Sequence, residues 1–419
     1  MVRLDQGKHP MRFAVAASTV SGLLVVLLTA AAGRMVRSWP SWHGFLPLFV
    51  ALGWALAALP VVLRAHRRTR EPKRVFLILA AFTGKHWVAE LIRDLHENLE
   101  RRGYDMVLKI PDRDYSAMSQ VRLLDGILSH RDDYAGGFIM VNEGEAVRAD
   151  LARFCSKAGM PVVFVDAEPF EGEDAYPPGT AYAGCDDGKI GAAAAQWVTG
   201  YLRGQRIRHA VVLVINGGHY HRREQTFQRQ LEAEVPAVQS ISDCAGFDRS
   251  RAREVVGSHL RSLDEAGQRI DAVFCTNDEM ALGAADALLF SGIPWAEDTV
   301  VAGVDGTPDA RALIEAPTSP LRATVVQDAY KVAEAAVGLL ERMFRKEPVP
   351  KRTSVPVEIL ASASPARHNT AQRRRLHAST KHPNATAFQD PVNAPCRIWT
   401  AQENHRRHGR LAQIHLHRF

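Results

Sequence analysis

Four amide or carboxylate side chains stand where short apolar, β-branched runs of the chain end; they are Asn142, Asp166, Asn277 and Asp305. Such runs predict strands that are covered on both faces, as in a parallel sheet. Ligands bind just beyond the carboxyl ends of parallel strands, so these side chains lie where a ligand would be held. An amide offers a donor and an acceptor and a carboxylate offers two acceptors, which suits the binding of hydroxyl groups. The sequence therefore predicts a pocket for a small polar molecule.

The segments that would position these residues alternate between strand and helix. Apolar periodicity predicts strands at 74–80, 106–110, 137–141, 161–165, 210–215, 240–244, 272–275 and 300–304, with helices between them. Strands that are joined by helices run parallel through right-handed crossovers, so the predicted fold class is α/β. A chain of 419 residues, 46% of them hydrophobic, is long enough to form two lobes.

Three stretches carry a family resemblance: NDEMALGAADAL from Asn277, VAGVDGTPDA from Val301 and LRATVVQDAYKVAEAA from Leu321. They resemble the ribose-binding, type I periplasmic sugar-binding proteins, whose fold is shared by the effector domains of LacI-type regulators. The resemblance runs from about Val75 to about Leu360. It implies a two-lobed type I periplasmic-binding-protein-like fold, with parallel sheets flanked by helices, that closes on a sugar-like ligand.

By this resemblance the chain crosses between the lobes three times, near Gly184, Gln327 and Val355. The first lobe would contain residues 75–183 and 327–354, and the second lobe residues 184–326 and 355–364. The crossings would form a hinge that lets the lobes swing together on the ligand.

The resemblance also adds residues to the candidate pocket. Trp87, and Phe247 within GFDRSRA, match the stacking aromatics of the family, since a sugar presents flat apolar faces to aromatic rings. Arg223 opens REQTF, which is similar to the R-x-x-G-F turn of the family with Thr226 in place of Gly. The full candidate set for ligand binding is His86, Trp87, Asn142, Asp166, Arg223, Phe247, Asn277, Asp305 and Gln327.

Each candidate has a structural alternative. Trp87 could be a core residue of its helix, Arg223 a solvated surface charge and Gln327 a residue of the hinge. Asp166 and Asp305 could cap helices, as Asp commonly does. A pocket is favoured because four polar residues all terminate parallel strands, which independent helix caps would not require.

Three positions depart from the ribose-binding pattern. Ala167 stands where the pattern has an Arg, His86 where it has a second Phe, and Gly84-Lys85 where it has Asn-Pro. The loss of that Arg removes up to five hydrogen-bond donors. The departures predict a ligand other than ribose, with a pyranose, a polyol or another small polar solute as candidates. His86 either contacts this ligand or caps its own helix.

Motifs for catalysis and cofactors do not occur in the chain, which has no GxSxG, HExxH, GxxxxGKS/T or GxGxxG. The pair Asp186-Asp187 could bind a metal or act as acid and base, but adjacent residues of a strand point to opposite faces, which favours a hinge role. The five cysteines include no close pair and no metal-binding spacing. The sequence thus predicts a binding protein without catalytic residues, metal or cofactor.

The formal net charge of +6 is unevenly distributed along the chain. Residues 1–74 contribute +9 and residues 365–419 contribute +8, which leaves −11 for residues 75–364. An acidic domain is unsuited to a phosphate backbone, so nucleic-acid binding by this core domain is disfavoured. Residues 365–419 hold seven of the seventeen His and no sustained apolar period, and they are predicted to be a disordered basic tail.

Two uncharged stretches, 13–33 and 44–63, are each long enough to cross a bilayer as a helix. They predict a membrane anchor at 1–74, although Ala30-Ala31-Ala32 could make the first stretch a cleaved signal peptide. Cations cluster before the first stretch and after the second, which places the soluble domain in the cytoplasm by the positive-inside rule. The family resemblance implies the extracytoplasmic side, and both locations remain open.

Two functions follow from these features. The resemblance implies a membrane-anchored binding protein for a sugar or sugar-like solute that serves ABC-type uptake through a transporter permease. The distribution of cations favours a cytoplasm-facing ligand sensor of the LacI effector type, which would act on a signalling partner.

Overall fold

The computed structural model describes residues 51–54, 58, 73–82, 85–142, 145–218 and 221–363. It divides the chain into two compact units, Met1–Pro72 and Lys73–Phe419. Residues 51–54 and 58 are helical; the rest of the predicted spans at 13–33 and 44–63, and the predicted tail at 365–419, lie outside the described residues. Within the described ranges, no helix has both the length and the apolar character needed to cross a membrane.

The described part of the second unit contains twelve strands and nine α-helices. In chain order the strands are β1 (Lys73–Ile78), β2 (Tyr104–Lys109), β3 (Tyr134–Met140), β4 (Val162–Val165), β5 (Thr180–Cys185), β6 (Ala210–Asn216), β7 (Val238–Cys244), β8 (Ala272–Cys275), β9 (Val300–Asp305), β10 (Leu321–Val326), β11 (Arg352–Val355) and β12 (Glu358–Ala361). The helices are α1 (His86–Glu100), α2 (Ala117–Ser129), α3 (Glu145–Ala158), α4 (Asp187–Gly204), α5 (His221–Glu234), α6 (Arg249–Glu265), α7 (Asp278–Leu289), α8 (Pro308–Glu315) and α9 (Ala329–Phe344).

The strands form two six-stranded sheets, one in each of two lobes. The first sheet has the order β11-β5-β4-β3-β1-β2, and all its pairings are parallel. The second has the order β12-β10-β9-β8-β6-β7 and is parallel except for β12, which pairs with β10 in the antiparallel sense. The predicted two-lobed α/β fold is confirmed, and the edge strand β12 departs from a fully parallel arrangement.

The orientation of β12 follows from the way in which the chain enters the second lobe. Strand β11 ends at Val355, next to Cys185 at the end of β5. Only two residues later β12 begins at Glu358, next to Val326 at the end of β10. A parallel partner for β10 would require a long crossover, and a two-residue connection is far too short for one, so β12 runs back along β10.

Strand β1 illustrates why the interior strands of the sheet are apolar throughout. Val75 and Leu77 belong to the core on the α1 face of the sheet, whereas Phe76 and Ile78 belong to the core that α2 and α3 cover on the other face. Successive side chains of a strand point to opposite faces, so a sheet with helices on both sides needs apolar residues at every position. Gly137 in the neighbouring β3 leaves the space that the Phe76 ring occupies, because a Cβ at this position would overlap that ring.

The chain passes between the lobes three times. It leaves β5 at Asp186 and enters α4, which packs on strands β9 and β10 of the second lobe. It returns through Gln327 and Asp328 to α9, which packs on α1 and on strands β4 and β5 of the first lobe. The third passage is the short connection between β11 and β12. The carboxyl ends of both sheets therefore border the same cleft.

Candidate functional site

A cavity of about 50 Å³ lies in the cleft between the two lobes. Nine of the strands contribute to it through the segments that follow their carboxyl ends, as expected for parallel sheets. The residues that line it are Lys85, Trp87, Val88, Tyr115, Asp166, Ala167, Asp187, Arg223, Phe247, Thr276, Asn277, Glu279, Asp305 and Gln327. Polar, charged and aromatic side chains thus converge on one enclosed space.

The structure brings seven of the nine predicted site residues together around this cavity. They are Trp87, Asp166, Arg223, Phe247, Asn277, Asp305 and Gln327. His86 and Asn142 do not line it. The strand-end reasoning therefore locates the cavity, although it does not fix the direction of each side chain.

Asn142 follows β3 as predicted but lines an adjoining cavity of about 740 Å³. Its backbone N–H donates to Oε1 of Gln120 on α2 at 3.0 Å. The residue is 2% exposed, and its Oδ1 accepts no hydrogen bond from the described part of the chain. The loop after β3 thus turns Asn142 towards a different part of the cleft.

His86 is the first residue of α1, and its ring is turned to the outside of the cavity. Nε2 lies 3.3 Å from Glu90, one turn further along the helix. Its backbone N–H crosses to the second lobe and donates to Oε1 of Glu279 at 3.0 Å. The residue before it, Lys85, occupies the N-cap position of α1 without a side-chain cap. His86 therefore joins the lobes through its backbone, and its side chain neither faces the cavity nor caps the helix.

Arg223 on α5 is only 8% exposed, which excludes the alternative of a solvated surface charge. Its Nε and Nη2 donate to Oδ1 of Asp187 at 3.0 and 2.7 Å, and its Nη1 donates to the carbonyl of Thr276 at 2.6 Å. Burial alone would lower the pKa of Arg223, but the charges of Asp187 and Asp305 raise it above its ordinary value. The guanidinium is thus a fixed, permanently charged donor in the wall of the cavity.

Gln327 belongs to the second crossing between the lobes and also lines the cavity. Its side-chain Nε2 donates to Oδ1 of Asp305 at 2.7 Å, and its backbone N–H donates to the Asp305 carbonyl at 3.1 Å. The carbonyl of Gln327 accepts a hydrogen bond from Nε1 of Trp87 at 3.1 Å. Gln327 therefore positions both the ring of Trp87 in the first lobe and the carboxylate of Asp305 in the second.

One strand-end residue caps a helix, but it is Asn277 and not Asp166 or Asp305, for which the sequence suggests this role. Oδ1 of Asn277 accepts from the N–H of Met280 at 3.0 Å and so caps α7. Asp166 and Asp305 do not cap any helix that the structure describes. The helix after Asp305, α8, is capped by Thr307, and Asp166 lies in a loop well before α4. The two aspartates are therefore available to the cavity, whereas one oxygen of Asn277 is already engaged.

Backbone strain is concentrated at the cavity. Among the described residues, six non-glycine residues have positive φ, and four of these line the cavity: Tyr115, Asp166, Phe247 and Asp305. Their φ angles are 54°, 69°, 59° and 117°. The other two, Arg206 and Lys346, follow the ends of α4 and α9, where a left-handed residue is common. Non-glycine residues in this region cost free energy and cluster at functional sites.

The carboxylates of the cavity are perturbed by burial and by one another. Burial, with the nearby charge of Asp187, raises the pKa of Asp166 to about 7, although Arg223 acts in the opposite direction. Burial is also the main cause that holds the pKa of Asp305 well above its ordinary value, and Asp278 and Glu279 add to the effect. Desolvation favours the neutral form of a carboxyl group, so an opposite charge or a set of donors would stabilise the ionised form.

Seven residues of the cavity are absent from the predicted set, and four of them are titratable: Lys85, Tyr115, Asp187 and Glu279. The sequence shows Asp187 as half of an acidic pair, whose position favours a hinge role and not a place in the pocket. Glu279 follows the predicted strand-end residue Asn277 by two positions, and Lys85 marks a departure from the family pattern. Tyr115 has no signal of its own, because it lies in the loop between β2 and α2.

Direct contacts join the lobes across the cleft. Nζ of Lys85 donates to the carbonyl of Phe247 at 2.6 Å, and the ring of Phe247 lies 5.2 Å from that of Tyr115. Arg222 forms an ion pair of 3.5 Å with Glu168. These contacts describe a closed arrangement of the lobes.

A family model described as a periplasmic binding protein domain matches residues 75–348. The chain belongs to this family. The resemblance drawn from the sequence is thereby confirmed. A putative rhizopine-binding protein of Rhizobium meliloti is 25% identical to the chain over 220 residues, which are 51% of this chain and 67% of the relative.

Two solved structures share the fold. A solute-binding protein of an ABC transporter from Bacillus halodurans C-125, with bound myo-inositol, has a TM-score of 0.60 at 20% identity, over 73% of this chain and 98% of that one. The fructose-binding periplasmic domain of a hybrid two-component system has a TM-score of 0.59 at 20% identity, over 73% and 95%. The matched proteins are named as binding proteins, which agrees with the prediction that the chain is not an enzyme.

Proposed function

We propose that the chain is a membrane-anchored binding protein for a sugar or polyol, and that its two lobes close on this ligand. The observation that carries the proposal is the cavity at the facing strand ends, where carboxylates, an arginine and an amide converge with aromatic rings. Hydrogen-bonding groups and ring faces together recognise molecules that carry hydroxyl groups on an apolar frame. The family of the chain supports the same conclusion.

Three charged side chains are suited to the ligand's hydroxyl groups. Asp166 accepts no side-chain hydrogen bond within the described ranges, and Asp305 accepts one on Oδ1 only. Both carboxylates can therefore accept hydrogen bonds from hydroxyl groups. Arg223 has five N–H groups, of which three are donated to protein oxygens, so two remain for a ligand oxygen.

The aromatic residues provide the complementary surface. Trp87 is held by its hydrogen bond to Gln327, and Phe247 is held against Tyr115. Rings fixed in this way offer apolar faces at little cost in side-chain entropy. We expect them to cover the C–H faces of a ring-shaped or extended polyol.

Closure follows from the division of the site between the lobes. Asp166 belongs to the first lobe, whereas Arg223 and Asp305 belong to the second. A ligand that contacts all three has more favourable interactions in the closed state than in the open state, and it shifts the population accordingly. Rotation at the three crossings is the motion that this requires.

The role after closure is proposed to be delivery to an ABC-type permease. The family name and the ABC-transporter origin of the myo-inositol-bound neighbour support this role. It requires the binding domain to lie on the extracytoplasmic side, with the uncharged stretches at 13–33 and 44–63 as the anchor.

A ligand sensor is the second candidate. One structural neighbour is the periplasmic domain of a two-component system, which supports signalling as an output of the same fold. The cations that flank the uncharged stretches favour a cytoplasmic location for the binding domain. In this case closure would act on a signalling partner instead of a permease.

Calorimetric titration of the purified full-length chain with a panel of monosaccharides and polyols tests the binding function. We expect saturable binding of at least one compound at micromolar to millimolar concentration. A folded chain that binds none of them at millimolar concentration would refute the proposal.

Reporter fusions at the carboxyl terminus separate the two roles. Alkaline phosphatase activity of the fusion would place the domain outside the cytoplasm and exclude the cytoplasmic sensor. Fluorescence of a reporter that matures only in the cytoplasm would exclude delivery to an importer.

A further inference from the structure

The cavity holds more acidic than basic side chains. Its charged residues are Lys85, Asp166, Asp187, Arg223, Glu279 and Asp305, so that four carboxyl groups accompany two cations. Asp278 raises the pKa of Asp305 and adds a further carboxyl group from the second lobe. This excess of carboxyl groups limits which charge a ligand can carry in the cavity.

Both cations of the cavity donate hydrogen bonds to groups of the protein other than Asp166 and Asp305. Arg223 donates two hydrogen bonds to Asp187 and forms an ion pair of 2.7 Å with it. Nζ of Lys85 donates to the carbonyl of Phe247. Burial lowers the pKa of Lys85, and Glu279 is the strongest of the acidic residues that oppose this effect. Neither cation donates a hydrogen bond to Asp166 or Asp305 within the part of the chain that the structure describes.

Asp166 and Asp305 are thus left without a hydrogen-bonded counter-charge. Asp305 is 9% exposed, and among the described residues the one side chain that donates a hydrogen bond to its carboxylate is the neutral amide of Gln327. Burial raises the pKa of both carboxyl groups. The nearby charge of Arg223 lowers both pKa values, but it does not offset the effect of burial. A buried carboxylate whose only nearby cation is already paired with another acid remains costly to ionise, and hydroxyl donors reduce this cost without cancelling the charge.

We propose that the ligand is a protonated amine of the sugar class, an amino sugar or an amino polyol, whose ammonium group contacts Asp166 and Asp305. This rests on the proposed sugar-binding function and names the chemical class of its ligand. An ammonium group has three donors and no acceptor, which matches ionised carboxylates, whose oxygens only accept hydrogen bonds. The rings of Trp87, Tyr115 and Phe247 line the same cavity, and aromatic faces attract cations as well as apolar C–H surfaces.

Matched ligand pairs that differ in the charge of one group test the inference. The full-length chain is titrated at neutral pH with D-glucosamine and D-glucose, with D-galactosamine and D-galactose, and with D-glucamine and D-glucitol. N-acetyl-D-glucosamine serves as the compound that keeps the nitrogen but not the charge. We expect the amine of the best-bound pair to bind at least about tenfold more tightly than its neutral partners, because charge-assisted hydrogen bonds are roughly twice as strong as neutral ones.

Equal or tighter binding of the neutral partners would overturn the inference and leave the sugar-binding function intact. The absence of binding by every compound would overturn the sugar-binding function and the inference with it. The two failures are therefore distinguishable in one experiment.

A charge-removing variant links the preference to the carboxylate. Asp166→Asn keeps the size of the side chain, and we expect it to reduce the advantage of the amine to about threefold or less. Asp112→Asn is the matched control, because Asp112 is an exposed carboxylate that binds Arg122 on the surface of the first lobe. An unchanged amine preference in Asp166→Asn, with normal preference in the control, would contradict the role of Asp166.

Discussion

Replacement of Asp166 by Asn is expected to stabilise the free protein at alkaline pH while it weakens ligand binding. Burial raises the pKa of this carboxyl group from 3.8 to about 7. In the unfolded chain the group ionises near pH 4, whereas in the folded protein it keeps its proton until about pH 7. The free energy of unfolding therefore falls as the pH rises through this window, because the unfolded chain binds fewer protons there. Above pH 7 Asp166 is ionised in the folded protein as well, and the folded state bears the full free-energy cost of the desolvated charge.

The size of the effect follows from the pKa. A change from 3.8 to about 7, at about 1.4 kcal/mol for each pH unit, corresponds to about 4 kcal/mol. Asp166 is half-buried and borders a cavity, so solvent screening reduces this value. We expect Asp166→Asn to raise the free energy of unfolding by about 1–3 kcal/mol at pH 8. Asn also tolerates the positive φ of this position, so the backbone is retained.

Urea denaturation of wild type and variant at pH 4 and pH 8, without ligand, measures the difference. The gain should be present at pH 8 and nearly absent at pH 4, where Asp166 is neutral in the folded protein. Each kcal/mol corresponds to about 2–4 °C in the melting temperature of a domain of this size. Asp112→Asn is the control, and it should change the free energy of unfolding in the opposite direction. Hydrogen bonds from Ser119 and Arg122 lower the pKa of Asp112, so its ionised form stabilises the folded protein. A gain that is equal at both pH values would refute the charge argument and leave only a change of local packing.

Three further substitutions test the remaining parts of the site. Arg223→Ala should lower the free energy of unfolding by about 3 kcal/mol, because it leaves the half-buried carboxylate of Asp187 unpaired. It should also weaken ligand binding in the same titrations, and Arg223→Lys, which keeps the charge without the two-pronged geometry, should have an intermediate effect. Asn277→Ala removes the cap of α7 and should lower the free energy of unfolding by about 0.5–2 kcal/mol, measured by urea denaturation. Gly217→Ala introduces a methyl group that overlaps the ring of Phe247 and must displace it. Ligand affinity should therefore fall, even if residue 217 does not contact the ligand. Unchanged affinity would argue against a role of the Phe247 ring in binding.

The sequence predicts the neighbourhood of the cavity because hydrophobic runs define where strands end. Asp166, Asn277 and Asp305 are found at the cavity for this reason. Asn142 obeys the same rule and still points elsewhere, since its loop is held to Gln120 of α2. A strand end locates a residue, whereas the path of the following loop decides its direction, and that path depends on contacts distant in sequence.

Pairings between distant segments are the part that the sequence does not reveal. The burial of Arg223 depends on Asp187, which precedes it by 36 residues, and such a pair has no local pattern. Lys85 and Tyr115 reach the cavity only because the lobes meet at Phe247. The antiparallel β12 likewise depends on the point at which the chain re-enters the second lobe, which no local periodicity encodes.

The crossings between the lobes have a consequence for the order in which the protein is made. Strand β11 and helix α9 complete the first lobe, yet they follow the whole of β6 to β10 in the chain. While those strands are being synthesised, the side of α1 that faces α9 and the free edge of β5 are uncovered. At about 5–20 residues per second this interval lasts on the order of ten seconds. The lobe that begins first therefore finishes its core only when the ribosome has passed Val355, after the parallel strands of the second lobe have been made.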